Sequence, residues 1–391
     1  MQERTTGNPD LSNLYAGNTV LLTLGRLPVA LELARALQAS GWRVIVAEPF
    51  ARHLCRLSNT VHKSYTVTAP LVDPDAYLDE LETIIKDESV SLVIPVSEES
   101  VFVSKLKSRS SCTAAVLCMP HDCLLQLHDK YLFVQWAKRL DLAVPATALA
   151  DNAAECDNLR RGAYVLKPRL SCSGAGVSLR DAAAPLTLDE KSSQYIVQQQ
   201  MNGSACSSFT ISLNGKSLVT VSYRSLISSG SVSVCFERIG VPDDIARFID
   251  CALSNLDYTG MISFDFMQNE FGKWHAIECN PRATSGLHFL SGQDIVGALL
   301  EGNEPQPNGA DGRRQEFWTT LMQVEGALFK GRFDRQGWAT LFTTRDINWR
   351  SSDIKPFLLS SFIYLPHLIK AIKAGKPVTE LLMKDIGWYE Q

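Results

Sequence analysis

Residues 264–282 read FDFMQNEFGKWHAIECNPR, and this stretch predicts two antiparallel strands joined by a tight turn. Apolar residues place the strands at Met261–Met267 and Trp274–Cys279, and the Asn-Glu-Phe-Gly sequence between them is typical of a turn. Asp265 lies on the first strand, and Glu278 lies on the second, thirteen residues further along the chain. A tight hairpin with this spacing can bring both carboxylates to one edge of a sheet.

Three oxygen-bearing side chains of this hairpin are candidate metal ligands. Glu278 and Asn280 are two residues apart, so on a strand they point to the same face as each other. Together with Asp265 they offer two carboxylates and an amide oxygen, a hard-oxygen set that Mg²⁺ favours and completes with phosphate oxygens and water. The alternative is that each is a solvated strand side chain. Three such groups at this spacing, followed by Pro281-Arg282, favour the metal site.

The composition is that of a folded, near-neutral chain. Its 391 residues suffice for two or three domains, and 45% of them are hydrophobic against 20% charged. A formal net charge of −4 is unlike that of proteins that bind nucleic-acid phosphates through many Lys and Arg residues, so we expect no nucleic-acid partner. Ten cysteines are scattered singly, without metal-binding spacing, which is typical of reduced thiols in a cytoplasmic protein.

We expect a soluble protein with no membrane partner. The polar N-terminal residues lack the apolar run of a signal peptide. The most apolar late stretch, Pro356–Ile369, is too short and too interrupted to cross a membrane, which takes about 20 apolar residues. We expect this stretch to form a buried amphipathic helix, and a helix lying on a membrane surface is the alternative.

The first 120 residues predict an open, mostly parallel sheet. Strands are expected at Thr19–Leu24 and Arg43–Ala47, with a helix between them, which makes a β-α-β unit. Glu48 follows the second strand, where a dinucleotide fold often places a ribose-binding acid. Only one glycine stands in the preceding turn, rather than GxGxxG, which favours a purely structural unit.

The region after residue 120 has an antiparallel α+β pattern. One long helix is predicted over His121–Leu140, and strands follow from Tyr164 onward. Asn214-Gly215 lies between two apolar runs and is a strong hairpin signal. Residues Asn303–Gly312 have the composition of a linker. In the tail beyond it, Thr343–Asp346 lies between apolar segments, and its chemistry is unexplained from the sequence.

Two lysines and a loop of small residues are candidate phosphate-binding groups. Lys130 lies on the predicted helix, directly after Asp129, and Lys167 ends a strand before the loop. A lysine is a point charge that suits a phosphate, and a loop such as Ser173–Gly176 can fold its backbone N–H groups over phosphate oxygens. Taken singly, each has a plainer interpretation as a solvated lysine or an ordinary loop.

In their order along the chain, these features resemble the ATP-grasp superfamily over roughly residues 18 to 300. The most similar types are lone ATP-grasp ligases related to carbamoyl-phosphate-synthase halves and amino-acid ligases. The resemblance implies an α/β fold with an N-terminal Rossmann-like pre-ATP-grasp domain, residues 1–120. An α+β ATP-grasp domain of two subdomains follows at 121–305, with its lid subdomain at about 142–200. A small C-terminal segment of unknown role, 306–391, completes the chain.

The resemblance also implies that ATP and Mg²⁺ bind between the two subdomains, with two metal ions for which Mn²⁺ can substitute. The implied ATP contacts are Lys130 and Lys167, the lid residues Ser173, Gly174, Ala175 and Gly176, and the hinge residues Gln198, Gln199, Gln200 and Met201. The implied metal ligands are Asp265, Glu278 and Asn280. The hinge departs from the family pattern, because Gln198-Gln199 replaces a usual Glu or Lys and Ser204-Ala205 falls where an acid often binds the ribose.

The implied activity is that of an ADP-forming ligase that activates a small-molecule carboxylate as an acyl phosphate and couples it to an amine, such as an amino acid. The catalytic candidates are Arg282, Lys167 and His288, where His288 is either a general base or a packed loop histidine. The alternatives are a thiol or hydroxyl acceptor, a phosphotransferase, or a nucleotide-binding protein without turnover. A homodimer is the expected assembly.

Overall fold

The structure is a computed structural model with three β-sheets. It describes residues 19–171, 174–187, 189–230, 232–305, 312–329, 334–374 and 378–388. No helix in these ranges is both long and apolar enough to cross a membrane. The nine cysteines within them are all free, in agreement with the reduced thiols expected from their spacing.

The N-terminal part is a five-stranded parallel sheet in the order β3-β2-β1-β4-β5, which confirms the predicted open sheet. Its strands are β1 (Thr19–Leu22), β2 (Arg43–Glu48), β3 (Lys63–Thr66), β4 (Leu92–Ile94) and β5 (Ala115–Val116). Its helices are α1 (Pro28–Ala39), α2 (Pro74–Asp87) and α3 (Ser100–Val103). Glu48 is buried and accepts hydrogen bonds from Arg26 and from the backbone of Gly25 and Phe50, so it is a structural residue, as its surroundings in the sequence suggest.

The long helix predicted over His121–Leu140 is wrong, because two helices occupy this stretch. They are α4 (His121–His128) and α5 (Lys130–Arg139). Asp129 has an extended ψ of 112°, and its carboxylate accepts the N–H groups of Tyr131 and Leu132, which caps α5. A salt bridge of 2.5 Å joins Asp129 to Arg169. The break therefore makes Lys130 the first residue of a helix that is tied to the following sheet.

A four-stranded antiparallel sheet lies in the predicted lid region, in the order β6-β9-β7-β8. Its strands are β6 (Thr147–Leu149), β7 (Tyr164–Pro168), β8 (Ser178–Arg180) and β9 (Tyr195–Gln199), and it carries helix α6 (Ala153–Leu159). Tyr164, Leu166 and Val197 form a separate small core with Cys156 of α6. This small core makes the lid a packed unit of its own.

The largest sheet has seven strands in the order β14-β13-β10-β11-β12-β15-β16. They are β10 (Ala205–Leu213), β11 (Lys216–Ser229), β12 (Val232–Ile239), β13 (Gly260–Gln268), β14 (Trp274–Asn280), β15 (Arg313–Gln315) and β16 (Arg345–Asp346). Helices α7 (Asp243–Leu256) and α8 (Gly292–Leu300) pack against it. Asn214 and Gly215 both have positive φ at the β10–β11 turn, which confirms the predicted hairpin. We call this the central sheet.

The C-terminal residues join the central sheet rather than forming a separate unit in space, because β15 and β16 extend its edge. The remaining helices are α9 (Phe317–Phe329), α10 (Arg335–Thr343), α11 (Lys355–Ala374) and α12 (Val378–Met383). Most of the linker predicted at Asn303–Gly312 lies outside the described residues.

Helix α11 corrects the expectation of a buried amphipathic helix at Pro356–Ile369. The helix is present, and the face that includes Ser360 and Ala371 is buried. Leu358, Phe362 and Leu365 lie on its exposed face, and 70% of Phe362 is accessible. The helix is apolar on more than one face, so packing one face against the protein leaves the other uncovered.

Candidate active site

The hairpin of β13 and β14 places the two predicted carboxylates side by side. Asp265 and Glu278 are directly opposite in the ladder. The two Asp265 oxygens accept hydrogen bonds from Ser207 Oγ at 2.6 Å and from Asn280 Nδ2 at 3.0 Å. Burial raises the pKa of Asp265, and the neighbouring negative charge of Glu278 raises it further. A bound cation would relieve this repulsion.

The donor set fits a Mg²⁺ ion that shares its shell with a ligand. Among the described residues, no three or more His, Cys, Asp or Glu side chains are placed to hold a metal. At the hairpin the protein offers two carboxylates and the Asn280 Oδ1. This oxygen accepts a hydrogen bond from Arg282 Nη2 at 3.0 Å and keeps a second lone pair. Three oxygen donors leave the remaining octahedral positions to phosphate oxygens and water.

Lys130 reaches this hairpin from the start of α5. Its side chain is buried, and its Nζ lies 3.3 Å from Glu278 Oε1. The same ammonium donates to the carbonyl oxygen of Ser171 at 2.7 Å and to the Ser171 hydroxyl at 3.2 Å. The lysine thus joins the end of β7 to the carboxylate pair.

Lys167 reaches the same place from β7. It is buried, and its Nζ donates to the carbonyl oxygen of Ile277, next to Glu278, at 3.1 Å. Burial lowers the pKa of Lys167 to about 8; the Glu278 carboxylate opposes this shift, and the positive Lys130 adds to it. Two lysines and two carboxylates from separate elements therefore lie together at the junction of the lid and the central sheet.

The lid loop makes a tight turn against the end of β7. Gly174 and Gly176 both have positive φ, and the N–H of Val177 donates to the carbonyl oxygen of Gly174 at 3.3 Å. A Cβ atom on Gly176 would lie 2.7 Å from Pro168 Cγ, so a side chain there would displace the loop. Ala175 lies within this turn, and Ser173 lies outside the described residues.

The predicted hinge residues have different surroundings. Gln198 is buried, and its amide nitrogen donates to Thr147 Oγ1 at 2.9 Å inside the lid sheet. Gln199 is exposed, and Gln200 bonds to exposed Asn202. Met201 is buried. Only Met201 of this group presents a buried apolar side chain where the lid ends.

Gly203 fixes the chain where it enters the central sheet. Its N–H donates to the carbonyl oxygen of Gln268 at 3.0 Å, and the N–H of Gln268 donates to the carbonyl oxygen of Ser204 at 2.9 Å. A Cβ atom on Gly203 would lie 2.6 Å from the Gln268 carbonyl oxygen. The hinge therefore needs glycine here for a close backbone approach.

Arg282 holds the end of β14 against the first domain. Its Nε donates to Glu98 Oε1 at 2.7 Å, and Glu98 also lies 3.5 Å from His128 Nδ1. Burial opposes ionisation of Glu98, but the charges of Arg282 and His128 hold its pKa below the usual value. Glu98 and His128 were not expected at the site from the sequence, although Glu98 lies four residues beyond the end of β4, and an acid in the segment after a buried parallel strand is a signal for a site at the sheet edge.

His288 is placed away from the carboxylate pair, in a 3₁₀ helix over Ser285–Phe289. It is buried, and its Nδ1 lies 3.4 Å from Glu32 Oε2 on α1. It lines a separate cavity that is described below.

Comparison with known proteins identifies the fold of this site. Residues 127–286 match the sequence model of a family described as an ATP-grasp domain. The matched stretch includes both lysines, the lid and the β13–β14 hairpin. No curated protein sequence matches the chain.

Solved structures share the fold at low identity. The N5-carboxyaminoimidazole synthetase from Staphylococcus aureus aligns with a TM-score of 0.62 at 14% identity, over 81% of this chain and 86% of its own. The biotin carboxylase domain of 2-oxoglutarate carboxylase from Hydrogenobacter thermophilus, solved as a dimer with MgADP and bicarbonate, aligns with a TM-score of 0.58 at 14% identity over 74% and 70%. The L-amino acid ligase from Bacillus licheniformis aligns with a TM-score of 0.56 at 14% identity over 73% and 74%.

Proposed function

We propose that this protein is an ADP-forming, ATP-dependent ligase that activates a small-molecule carboxylate as an acyl phosphate and couples it to an amine. The observation that carries the proposal is the convergence of Lys130, Lys167, Asp265 and Glu278 from four elements at the lid junction. The fold likeness to enzymes solved with ADP or MgADP supports a nucleotide at this junction.

In this proposal ATP lies between the lid sheet and the central sheet. Lys130 and Lys167 face its phosphates, and the turn at residues 174–176 covers them with backbone N–H groups. The adenine packs near Met201, with backbone groups around Gln200 and Met201 as its polar contacts and Gln198 or Gln199 near its exocyclic amine. Asp265, Glu278 and Asn280 hold Mg²⁺, which when bound neutralises negative charge on the phosphates.

The residues suit phosphoryl transfer to a carboxylate. A carboxylate is a poor acyl donor because oxide is a poor leaving group, and phosphorylation converts it into an acyl phosphate that an amine can attack. Positive groups placed where charge develops lower this barrier. Lys167 neutralises charge on the phosphoryl group. Arg282 binds the substrate carboxylate and stabilises the later oxyanion, while Glu98 holds its guanidinium in place.

The carboxylate pair favours an active enzyme over a nucleotide-binding protein without turnover, since Asp265 and Glu278 lie side by side and the charge of Glu278 raises the pKa of Asp265, a repulsion that a bound cation would relieve. A thiol or hydroxyl acceptor and a phosphotransferase share the same first step, so the products separate them. We further propose a homodimer, the form in which the Hydrogenobacter domain was solved.

The test is product analysis with Mg-ATP and a panel of amino acids and other carboxylates. We expect carboxylate-dependent release of ADP and phosphate, whereas AMP and pyrophosphate would exclude the acyl-phosphate route. Glu278→Ala removes a carboxylate of the pair and should abolish turnover. Glu270→Ala removes an exposed carboxylate from the turn of the same hairpin and should leave turnover unchanged. Equal activity of the two variants would refute the metal assignment.

A further inference from the structure

A cavity of about 520 Å³ lies beside the 3₁₀ helix over Ser285–Phe289, on the edge of the central sheet. We call it the arginine cavity, because four arginines line it: Arg238, Arg314, Arg345 and Arg350. Leu218, Phe289 and Ile347 supply apolar wall beside them. Its volume is that of a ligand pocket, which typically measures about 300–1,000 Å³.

Strand register places three of these arginines on one face. Arg314 on β15 is directly opposite Phe236 on β12, and on its other side it pairs with Arg345 on β16. Arg238 is two residues from Phe236 on β12, so it points to the same face. Arg350 lies four residues beyond the end of β16. The cluster is therefore built by the edge strands of the sheet and is not a chance grouping of surface side chains.

The acidic residues of the cavity already have partners. Glu32 binds Arg350 at 2.6 Å and His288 at 3.4 Å. Asp294 caps helix α8 together with Ser291, and Asp346 accepts three backbone N–H groups. Within the part of the chain that the structure describes, neither Arg238 nor Arg345 takes part in an ion pair.

The unbalanced positive charge affects the arginines themselves. Burial lowers the pKa of the Arg314 guanidinium, and the charges of the other three arginines lower it further, while the Glu32 carboxylate opposes these shifts. Arg314 keeps its place by donating through Nε to the carbonyl oxygen of His288 at 3.0 Å. A cluster held in this way gains stability when an anion enters it.

One transverse row of the sheet connects this cavity to the carboxylate pair. Ladder partners follow in the order Glu278, Asp265, Ser207, Tyr223 and Arg238. Directly opposite residues of antiparallel strands share a face. Strands lie about 4.8 Å apart, so three spacings separate Asp265 from Arg238 by about 14 Å. Tyr223 is buried between them, with its ring packed against Phe236 and Phe289, so the cavity is a separate site on the same sheet.

We propose that the arginine cavity binds an oxyanion, the carboxylate or phosphate group of a small molecule. The inference goes beyond the proposed function, because it assigns a second binding site about 14 Å from the carboxylate pair. Guanidinium groups suit this role, because their planar N–H pairs match the two oxygens of a carboxylate or phosphate.

The test is isothermal titration of the full chain with two probes, citrate for carboxylates and inorganic phosphate for phosphates. Metal-free buffer is used because citrate binds Mg²⁺. We expect one probe to bind the wild-type protein, and its identity decides between the two oxyanions. Arg238→Gln and Arg345→Gln, made separately, should each weaken binding about tenfold or more, since each removes a charged hydrogen-bond donor.

Arg313→Gln is the matched control, because Arg313 neighbours Arg314 on β15 but pairs with Glu237 on the opposite face. It should bind the probe within about twofold of wild type. If neither probe binds the wild-type protein, or if both cavity variants bind like the control, the cavity proposal is overturned. MgADP titration of the same proteins distinguishes the two proposals. If the wild-type protein binds MgADP but neither probe, only the cavity proposal is wrong. If it does not bind MgADP, the proposed function is wrong.

Discussion

The carboxylate hairpin and the arginine cavity lie on the same sheet, yet their charged groups are held differently. At the hairpin, Lys130, Lys167 and Asp265 all have hydrogen-bond partners within the chain. In the cavity, Arg238 and Arg345 have no ion pair among the described residues. The charged groups of the hairpin are thus held in place before a ligand binds, as catalysis requires. The cavity instead has arginines without an acidic partner among the described residues, as binding of an anion requires.

The strongest effect is expected at the carboxylate hairpin, when the Lys130 ammonium is removed. Lys130→Met keeps the length of the side chain but removes the ammonium beside Glu278. We expect turnover with Mg-ATP to fall by about 10²–10³-fold, the usual cost of removing one placed donor. Lys138→Met, on the exposed face of the same helix α5, is the control and should be near wild type. Steady-state kinetics of both variants decide the point, and similar rates would show that Lys130 is only structural.

The second prediction concerns the contact between domains. Glu98→Ala removes the buried carboxylate that pairs with half-buried Arg282, and we expect a loss of about 3 kcal/mol in unfolding free energy. Glu237→Ala breaks an exposed pair with Arg224 and Arg313 and should cost less than about 1 kcal/mol. Urea denaturation measures both. A loss for Glu98→Ala no greater than for Glu237→Ala would contradict the buried pair.

The third prediction concerns the hinge. Gly203→Ala forces a Cβ atom against the Gln268 carbonyl oxygen, so we expect a loss of about 1–2 kcal/mol and a raised KM for ATP. Gly240→Ala is the control, because nothing lies within 4 Å of a Cβ atom there. Thermal melting and ATP kinetics test the pair of variants. An unchanged KM in Gly203→Ala would show that the hinge does not set the position of the lid.

The weakest effect on stability is expected for the arginines of the cavity, in contrast to Arg282. Arg238→Gln and Arg345→Gln remove no ion pair, so each should change the unfolding free energy by less than about 0.5 kcal/mol. Arg282→Gln removes the partner of buried Glu98 and should cost several times more. Urea melts of the three variants provide the measurement. A large loss in the cavity variants would mean that these arginines support the fold.

The sequence predicted the hairpin and its surroundings well, because their signals are local. The turn at Asn269–Gly272 sets Phe266 opposite Ala276, as its sequence indicates. A β-bulge between Asp265 and Phe266 then brings Asp265 opposite Glu278, and this bulge has no local sequence signal. The β-α-β pattern of the first domain followed likewise from apolar runs and their spacing. The helix break at Asp129 was missed because the apolar period continues across it, and only the capping geometry and the tie to Arg169 reveal it.

The cavity could not be predicted, because its residues meet only through long-range pairing. Arg238 and Arg314 lie far apart in sequence and become neighbours when β15 adds to β12. Arg345 fell in a segment that the sequence left unexplained, since a two-residue parallel strand such as β16 has no periodic signal. The partner of Arg282 was missed for the same reason: Glu98 comes from another domain.

Electron paramagnetic resonance of Mn²⁺ measures metal binding at the β13–β14 hairpin, since Mn²⁺ can replace Mg²⁺ at oxygen ligands. With ADP present, we predict that wild-type protein and Glu270→Ala bind Mn²⁺ and reduce the signal of the free ion. Glu278→Ala should leave that signal at the level of Mn²⁺ and ADP alone. Equal Mn²⁺ binding by Glu278→Ala and wild type would contradict a metal–nucleotide site at this hairpin.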